Sequence, residues 1–187
     1  MPAQSAPVHP DIERVLIDET KIQQRVRELG EQISRDYRGR DLTLVGILKG
    51  GVVFLADLLK SVSVDCAIDF MSLSSYSGQV PTGVVRVLLD LRDNPQGKDL
   101  LIVEDIMDTG LTLSYLLANL ATRKPRSLEV CALLDKPYSR KAKVQAKYVG
   151  FEIPADFVVG YGLDYYEKYR NLPYVGVLRR EAAAGRR

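Results

Sequence analysis

The sequence is poor in the residues on which several common kinds of site depend. Its 187 residues include two cysteines, one histidine and no tryptophan. Cys66 and Cys131 lie far apart in apolar segments, which favours two buried free thiols over a disulfide. Because the one histidine, His9, lies in a segment rich in proline and alanine, the chain lacks material for a Ser-His-Asp triad or a histidine-rich metal site.

Excess charge and long apolar runs are also missing. Lys and Arg together number 26 against 24 Asp and Glu, and most of the basic excess lies in residues 179–187. Bulk charge therefore does not favour nucleic-acid binding. The longest apolar stretch, residues 50–56, is too short to cross a bilayer, and residues 1–10 lack the apolar core of a signal peptide. We expect a cytoplasmic protein that binds neither nucleic acid nor membrane.

Composition and length predict one globular domain. The chain is 46% hydrophobic and 27% charged, as is typical of globular proteins. A chain of this length buries enough surface to fold without a disulfide or a metal. We predict a flexible leader over residues 1–10, a single domain over residues 11–180 and a flexible basic tail over residues 181–187.

Short apolar runs alternate with helical patterns within this domain. Apolar spacings of three and four residues predict a helix over 19–37, capped by Asp18, and further helices from Gly51 through Leu59 and over 111–122. The predicted strands are 42–48, 64–73, 84–89, 100–103, 128–134, 148–151, 157–161 and 174–178. The alternation favours an α/β fold with a largely parallel central sheet.

The most informative segment is an acidic turn that follows the apolar run 100–103. Glu104, Asp105 and Asp108 come directly after this run, and a Thr-Gly pair then opens a helix. Free backbone N–H groups, hydroxyls and the positive end of a helix suit a phosphate, and the acids suit ribose hydroxyls or a divalent cation. The segment therefore predicts a site for a phosphorylated pentose.

Three other motif interpretations of this turn fail. The chain contains neither the G-x-x-x-x-G-K-[ST] loop of nucleoside triphosphatases nor a G-x-G-x-x-G turn after a strand. Residues 108–110 spell the catalytic triplet of aspartic proteases, but those enzymes need a second such Asp in an all-β setting. Here a helical pattern follows directly, which excludes the protease interpretation.

Several segments together resemble one enzyme family. Residues 103–112 closely resemble the phosphoribosyl-pyrophosphate signature of the type I phosphoribosyltransferases. Further segments narrow the resemblance to the hypoxanthine (hypoxanthine-guanine) phosphoribosyltransferases, and these are LKGG at 48–51, SSY at 74–76, LLDKP at 133–137, GFEIP at 150–154 and FVVGYGLDY at 157–165, followed by Arg170. The resemblance covers roughly residues 12–178.

The resemblance implies a fold and a reaction. The fold would be a largely parallel sheet flanked by helices, with a small hood made from chain parts near the two ends. The reaction would be purine salvage, in which the 5-phosphoribosyl group of phosphoribosyl pyrophosphate passes to N9 of hypoxanthine, and of guanine, with Mg²⁺ and release of pyrophosphate. The products would be IMP and GMP, and the enzyme would be a homo-oligomer, a dimer or a tetramer.

It also implies roles for the acidic turn. Asp108 would be the general base that takes the proton from N7 of the purine. Glu104 and Asp105 would bind the ribose hydroxyls and, with Asp164, the magnesium ion. The 5′-phosphate would be held by Asp108, Thr109, Gly110, Leu111, Thr112 and Leu113.

The remaining matched residues surround this turn. Lys49 and Gly50 would bind pyrophosphate, after a cis peptide bond that precedes the lysine, and Arg170 would add a second contact. A mobile lid over residues 74–83, including Ser74 and Tyr76, would exclude water. For the base, Lys136 would donate to O6, Phe157 would stack on the ring, and the Val158 backbone would contact the base edge.

Two alternatives stay open at this point. A regulatory protein could retain the same fold and sense nucleotides without catalysis, because fold does not fix function. A sister transferase could prefer xanthine or a pyrimidine. Asp108 and Lys136 favour catalysis on a 6-oxopurine.

Overall fold

The structure, a computed structural model, describes residues 7–75 and 85–184. The strands are β1 (Ile12–Ile17), β2 (Leu42–Leu48), β3 (Cys66–Ser75), β4 (Val85–Leu89), β5 (Asp99–Met107), β6 (Ser127–Asp135), β7 (Tyr148–Glu152), β8 (Val158–Val159) and β9 (Val175–Leu178). The helices are α1 (Glu19–Asp36), α2 (Val52–Ser61), α3 (Leu111–Ala121) and α4 (Arg180–Ala184).

A six-stranded sheet in the order β4-β3-β2-β5-β6-β7 forms the centre of the fold. Every neighbouring pair is parallel except β3 and β4, which confirms the largely parallel sheet. Successive residues of β5 point to opposite faces. Leu101 and Val103 pack in the cluster that contains α1 and α2, and Leu100 and Ile102 pack in the cluster that contains α3. Helices thus cover both faces.

Helix α1 follows the apolar spacing that predicts it. Ile22, Val26, Leu29 and Ile33 form its buried stripe. Asp18 caps the helix, because its carboxylate accepts a hydrogen bond from Lys21 N at 2.9 Å and thereby satisfies one of the free N–H groups of the first turn.

A second sheet comes from the two ends of the chain. Its strand order is β1-β9-β8, and both pairs are antiparallel. This sheet is the small hood that the resemblance implies, and β1 within it has no counterpart among the predicted strands. Strand β8 is shorter than the predicted 157–161, because Gly160, Tyr161 and Gly162 all have positive φ and turn the backbone out of the extended conformation.

Residues near the first and last described positions contact the hood. His9 N donates to Tyr174 Oη at 2.8 Å, so the contacts of the domain begin before residue 11. Helix α4 occupies positions assigned to a flexible tail, and Ala182 packs against the hood. None of the helices in the described ranges is both long and apolar enough to span a membrane.

Candidate active site

The acidic turn lies where β5 ends and α3 begins, at the carboxyl edge of the parallel sheet. Gly110 precedes α3 with a φ of +76°, a conformation that favours glycine. A Cβ at this position would lie 2.6 Å from Val144 Cγ2, so the turn also has no space for a side chain. A cleft of about 270 Å³ opens over the turn. Its lining residues are Ile47, Leu73, residues 104–110, Thr112 and Leu113.

Glu104 and Asp105, near the end of β5, form no ion pair with any cation in the described part of the chain. Glu104 Oε2 is buried and has no hydrogen-bond partner among the described residues. Burial raises the pKa of Glu104 well above its ordinary value, and the neighbouring Asp105 charge raises it further. Burial likewise raises the pKa of Asp105 to about 6, although Ile106 N donates to its carboxylate at 2.7 Å. Such a pair is typical of a functional site whose ligand supplies the missing partner.

The loop after β2 packs directly onto this acid pair. The Leu48–Lys49 peptide bond is cis, as the resemblance implies. A Cβ on Gly50 would lie 1.6 Å from Asp105 Oδ2, so only a glycine allows the backbone to approach the acid this closely. The structure therefore brings the predicted pyrophosphate loop and the predicted ribose acids together.

Arg170 approaches from the hood side. Its Nη1 donates to Gly162 O at 2.8 Å, and its Nη2 lies 2.8 Å from Asp164 Oδ1. Its Nε is buried and has no partner among the described residues. Glu167 Oε2 lies 3.0 Å from Lys49 Nζ and 3.4 Å from Arg170 Nη2. Glu167 therefore joins the two predicted pyrophosphate-binding cations.

Sequence reasoning missed Glu167. One feature of the sequence pointed to this residue: it lies three positions before Arg170, a spacing that suits a local ion pair. Its contact with Lys49, 118 residues away, has no local signal.

Side chains of the described residues do not by themselves form a complete set of magnesium ligands. The described part of the chain contains no group of three or more His, Cys, Asp or Glu side chains that could hold a metal ion. Asp164, the third predicted ligand, pairs with Arg170 and still has a second carboxylate oxygen. Mg²⁺ is commonly held by one or two carboxylates together with substrate phosphates and water. The unpartnered Glu104 oxygen and the adjacent Asp105 fit that mode.

The loop that follows β6 supports the acidic turn. Lys141 N and Ala142 N donate to Thr109 O at 2.9 and 3.1 Å. Arg140 Nη2 donates to Met107 O at 3.3 Å and pairs with Asp135. These contacts fix the backbone of the turn, whereas the side chains of Asp108 and Leu111 are exposed and accessible to a ligand. Thr112 and Leu113 belong to the first turn of α3.

The residues predicted to bind the purine lie near this turn or in the hood. Lys136 follows β6, is buried with 7% exposure, and its N donates to Met107 O at 3.0 Å. Phe157 is 53% exposed and meets the Tyr165 ring edge-on at 5.5 Å. An aromatic ring with a free face suits base stacking better than core packing. Val158 is buried in β8.

The predicted lid falls mostly outside the described residues. Ser74 lies on β3, where it pairs with Arg86 of β4. Tyr76 and the rest of the lid up to residue 83 lie outside the described ranges, so the lid remains a prediction.

Comparison with known proteins agrees with this geometry. Residues 16–166 match the phosphoribosyl transferase domain family. The chain is 53% identical to a hypoxanthine-guanine phosphoribosyltransferase of Mycobacterium avium, over 95% of this chain and 91% of the relative. It is 51% identical to a crystal structure of a hypoxanthine phosphoribosyltransferase of Staphylococcus aureus, with a TM-score of 0.90 over 92% of this chain and 95% of that one. A Trypanosoma cruzi hypoxanthine phosphoribosyl transferase has a TM-score of 0.92 at 40% identity, over 97% of this chain and 98% of that one.

Proposed function

Because the chain belongs to the phosphoribosyl transferase family, we propose that it transfers the 5-phosphoribosyl group from phosphoribosyl pyrophosphate to N9 of hypoxanthine and of guanine. It is a transferase of purine salvage, with the type I fold and hood that its sequence predicts. The observation that carries the proposal is the buried, uncompensated pair Glu104 and Asp105, which lies between the Gly50 backbone and a glycine-containing turn at a helix start. The residues that we propose to bind phosphate, ribose and magnesium meet at this point.

The chemistry needs two kinds of assistance. As the bond from the ribose to pyrophosphate breaks, the ribose becomes cation-like and the leaving group gains negative charge. Lys49 and Arg170 provide positive charge on the pyrophosphate side, and preorganised charges of this kind stabilise a transition state strongly. Glu104, Asp105 and Asp164 are the residues that would hold Mg²⁺ with substrate oxygens, and the bound ion supplies further charge to the leaving group.

The purine also has to lose a proton as N9 forms its new bond. Asp108 is exposed at the mouth of the turn, where its carboxylate can accept the proton from N7. Thr109 and Gly110 position this carboxylate beside the 5′-phosphate through the turn backbone. Asp108 therefore acts as the general base.

Base selection rests on the donor character of Lys136. A 6-oxopurine presents an acceptor at O6, whereas adenine presents a donor amine there. Lys136 offers only donors, so it pairs with O6 and repels the amine. Phe157 stacks on the ring, and the Val158 backbone contacts the edge near C2. Hypoxanthine and guanine share O6 and are both substrates.

A nucleotide sensor without catalysis and a transferase that prefers xanthine are not favoured, because the similar proteins are hypoxanthine(-guanine) phosphoribosyltransferases. The homo-oligomeric state and the cytoplasmic location stay predictions of the sequence analysis.

The test is a spectrophotometric assay of the purified protein with phosphoribosyl pyrophosphate, Mg²⁺ and five bases: hypoxanthine, guanine, xanthine, adenine and uracil. We expect efficient turnover of hypoxanthine and guanine and none of adenine. Lys136→Ala is the companion variant. It should lower kcat/KM for hypoxanthine and guanine alike, because both lose the hydrogen bond to O6. It should also narrow the gap to adenine, since a site built around such a bond rejects a mismatched base by up to ~10⁴-fold. Efficient wild-type turnover of adenine would contradict the proposal.

A further inference from the structure

A three-residue segment of the hood, Gly160-Tyr161-Gly162, contacts both sides of the proposed pyrophosphate site. The φ angles are +99°, +49° and +100°. For the two glycines such angles cost little, but a tyrosine rarely adopts them. The conformation of Tyr161 therefore needs compensation from contacts that its side chain makes.

The backbone of this segment holds the two halves of the site. Gly162 O accepts from Arg170 Nη1 at 2.8 Å, and Gly162 N donates to Arg170 O at 3.0 Å. On the other side, Gly162 packs against the loop after β2, since a Cβ added to it would lie 2.2 Å from Gly50 O. A displacement of Gly162 would thus move Arg170 relative to Gly50.

The side chain of Tyr161 leaves the hood and reaches helix α2. It is buried, with 3% exposure, and its hydroxyl donates to Asp57 Oδ2 at 2.7 Å. Helix α2 begins directly after the Lys49–Gly51 loop, so Asp57 is rigidly connected to the core side of the site. The hydrogen bond therefore spans from the hood to the element that carries the pyrophosphate loop.

Asp57 itself is held in place. Gln23 Nε2 donates to its Oδ2 at 2.8 Å, and Lys60 Nζ donates to its Oδ1 at 3.2 Å. Burial opposes ionisation of Asp57, but the hydrogen bonds from Tyr161, Gln23 and Lys60 outweigh it, and the pKa of this carboxyl is lowered. The acceptor is thus a fixed carboxylate, and hydrogen bonds to ionised groups are the stronger ones.

We propose that Tyr161 is a positioning residue for pyrophosphate recognition. Its hydrogen bond to Asp57 sets the distance between the hood, which carries Arg170, and the core, which carries Lys49 and Gly50, so that both face one ligand. This inference rests on the proposed function, because it deepens the role of the same site. Tyr161 touches neither reactant and acts through Gly162.

The first test is Tyr161→Phe, with Tyr148→Phe as the matched control. Tyr148 is also buried, and its hydroxyl donates to Asp36 Oδ2 at the same 2.7 Å, but this bond joins β7 to α1 away from the site. Both variants should unfold at a lower temperature than wild type. Tyr161→Phe alone should raise KM for phosphoribosyl pyrophosphate by about tenfold, because small displacements of binding groups are costly, with KM for hypoxanthine unchanged.

The second test is rescue at Asp57. Tyr161 and Gln23 both donate to Oδ2, so Asp57→Asn can keep an acceptor oxygen there and turn its amide toward the exposed Lys60. Its KM for phosphoribosyl pyrophosphate should stay within about threefold of wild type, because the bond to Tyr161 persists. Asp57→Leu removes the acceptor and should match Tyr161→Phe.

Calorimetric titration with pyrophosphate and Mg²⁺ separates this inference from the proposed function. Tyr161→Phe should bind pyrophosphate about tenfold more weakly than wild type and than Tyr148→Phe. If Tyr161→Phe loses thermal stability but keeps wild-type pyrophosphate affinity, or if Asp57→Asn is as impaired as Asp57→Leu, the positioning role is wrong. If the wild type turns over no purine, the proposed function fails, whereas the calorimetric comparison still decides the role of Tyr161.

Discussion

Strand β5 carries buried carboxylates at both of its ends, and their surroundings are opposite. At the start, Asp99 is fully buried and accepts hydrogen bonds from Arg126 Nε at 2.9 Å and Ser127 Oγ at 2.7 Å. Its pKa is lowered, chiefly by the Arg126 bond. At the other end, burial raises the pKa of Glu104 well above its ordinary value and that of Asp105 to about 6.

The difference separates a structural carboxylate from a ligand-binding one. A carboxylate that only has to support the fold is given protein donors, because an unpaired buried charge is costly. A carboxylate that has to bind a cation or a hydroxyl is left with open acceptor sites, and its cost is offset only when the ligand is present. The carboxyl edge of the sheet, where ligands bind in open α/β folds, is where the uncompensated pair lies.

The largest effect, a loss of kcat, should come from substitution of Asp108, an exposed residue just beyond the end of β5 that carries Glu104 and Asp105. Asp108→Asn keeps the size of the side chain and removes the proton acceptor. General acid–base catalysis contributes roughly 10²–10⁴ in rate, or about 3–5 kcal/mol, so kcat should fall by that factor. Calorimetry should show phosphoribosyl pyrophosphate affinity close to wild type. A decrease in kcat of less than tenfold would mean that another group takes the proton.

Asp99→Asn should damage stability and leave the chemistry intact. The substitution leaves the Arg126 guanidinium and the Ser127 hydroxyl without their charged acceptor. Losing such hydrogen bonds costs roughly 1–2 kcal/mol here, because Arg126 is half exposed and solvent screens the pair. Thermal unfolding should show the loss, while kcat and both KM values stay at wild-type levels below the unfolding temperature. A selective rise in KM would show that Asp99, at the start of β5, also affects ligand binding and is not purely structural.

Asp105→Asn should have the opposite effects: higher stability of the protein without ligand, and weaker ligand binding. The pKa of Asp105 is about 6 in the folded protein, which is above its value in the unfolded chain. The folded state therefore binds a proton at Asp105 more tightly than the unfolded chain does, and the stabilisation from this proton is lost as pH rises through about 6. At pH 8 the neutral amide should stabilise the apoprotein by roughly 1–3 kcal/mol, whereas binding of Mg²⁺ with phosphoribosyl pyrophosphate should weaken.

Chemical denaturation at pH 5 and pH 8 checks this prediction. The advantage of Asp105→Asn over wild type should grow between the two pH values. Asp99 should contribute no slope over this range, since its pKa is lowered from the ordinary value of 3.8 and its stabilising effect is lost only as pH falls below that value. An advantage for Asp105→Asn that is equal at both pH values would show that burial does not penalise this charge.

Local patterns in the sequence were sufficient for much of this description. The apolar spacing and the Asp18 cap predict α1, and the acidic run before a Thr-Gly pair predicts the turn at the end of β5. Such features depend on residues a few positions apart. The two-residue length of β8 was not predicted, because the positive φ of Tyr161 goes with a tertiary contact to Asp57, 104 residues away, which has no local signal.

The electrostatics of the site could be predicted only in part. Three acids after a buried strand indicate a binding site, but their pKa directions depend on which cations approach, and this is set by the fold. Arg170 faces Asp164 and Glu167 rather than Glu104. The contact between Lys49 and Glu167 joins the core to the hood and has no trace in either local sequence.

Glu167→Gln should have the smallest effect. It tests whether the cations of the site, like its carboxylates, are left available for a ligand. Lys49 and Glu167 are both largely exposed, at 67% and 63%, and exposed ion pairs are weak. Glu167 nevertheless contacts both cations that we propose to bind pyrophosphate, and so would compete with the ligand for them. The variant should bind pyrophosphate about two- to threefold more tightly at low salt, and the gain should shrink in about 0.5 M salt, where such pairs are screened.

The matched control is Glu31→Gln, which makes the same charge change at an exposed position of α1. Calorimetric titrations of both variants with pyrophosphate and Mg²⁺ separate a local effect from a change of net charge. Equal gains in the two variants would mean that net charge alone is responsible. Weaker binding in Glu167→Gln would mean that the carboxylate orients Lys49 and Arg170 for the ligand rather than competing with it. The protein itself would then compensate the charges of Lys49 and Arg170 before the ligand binds. Asp99 is compensated by the protein in the same way, whereas Glu104 is not.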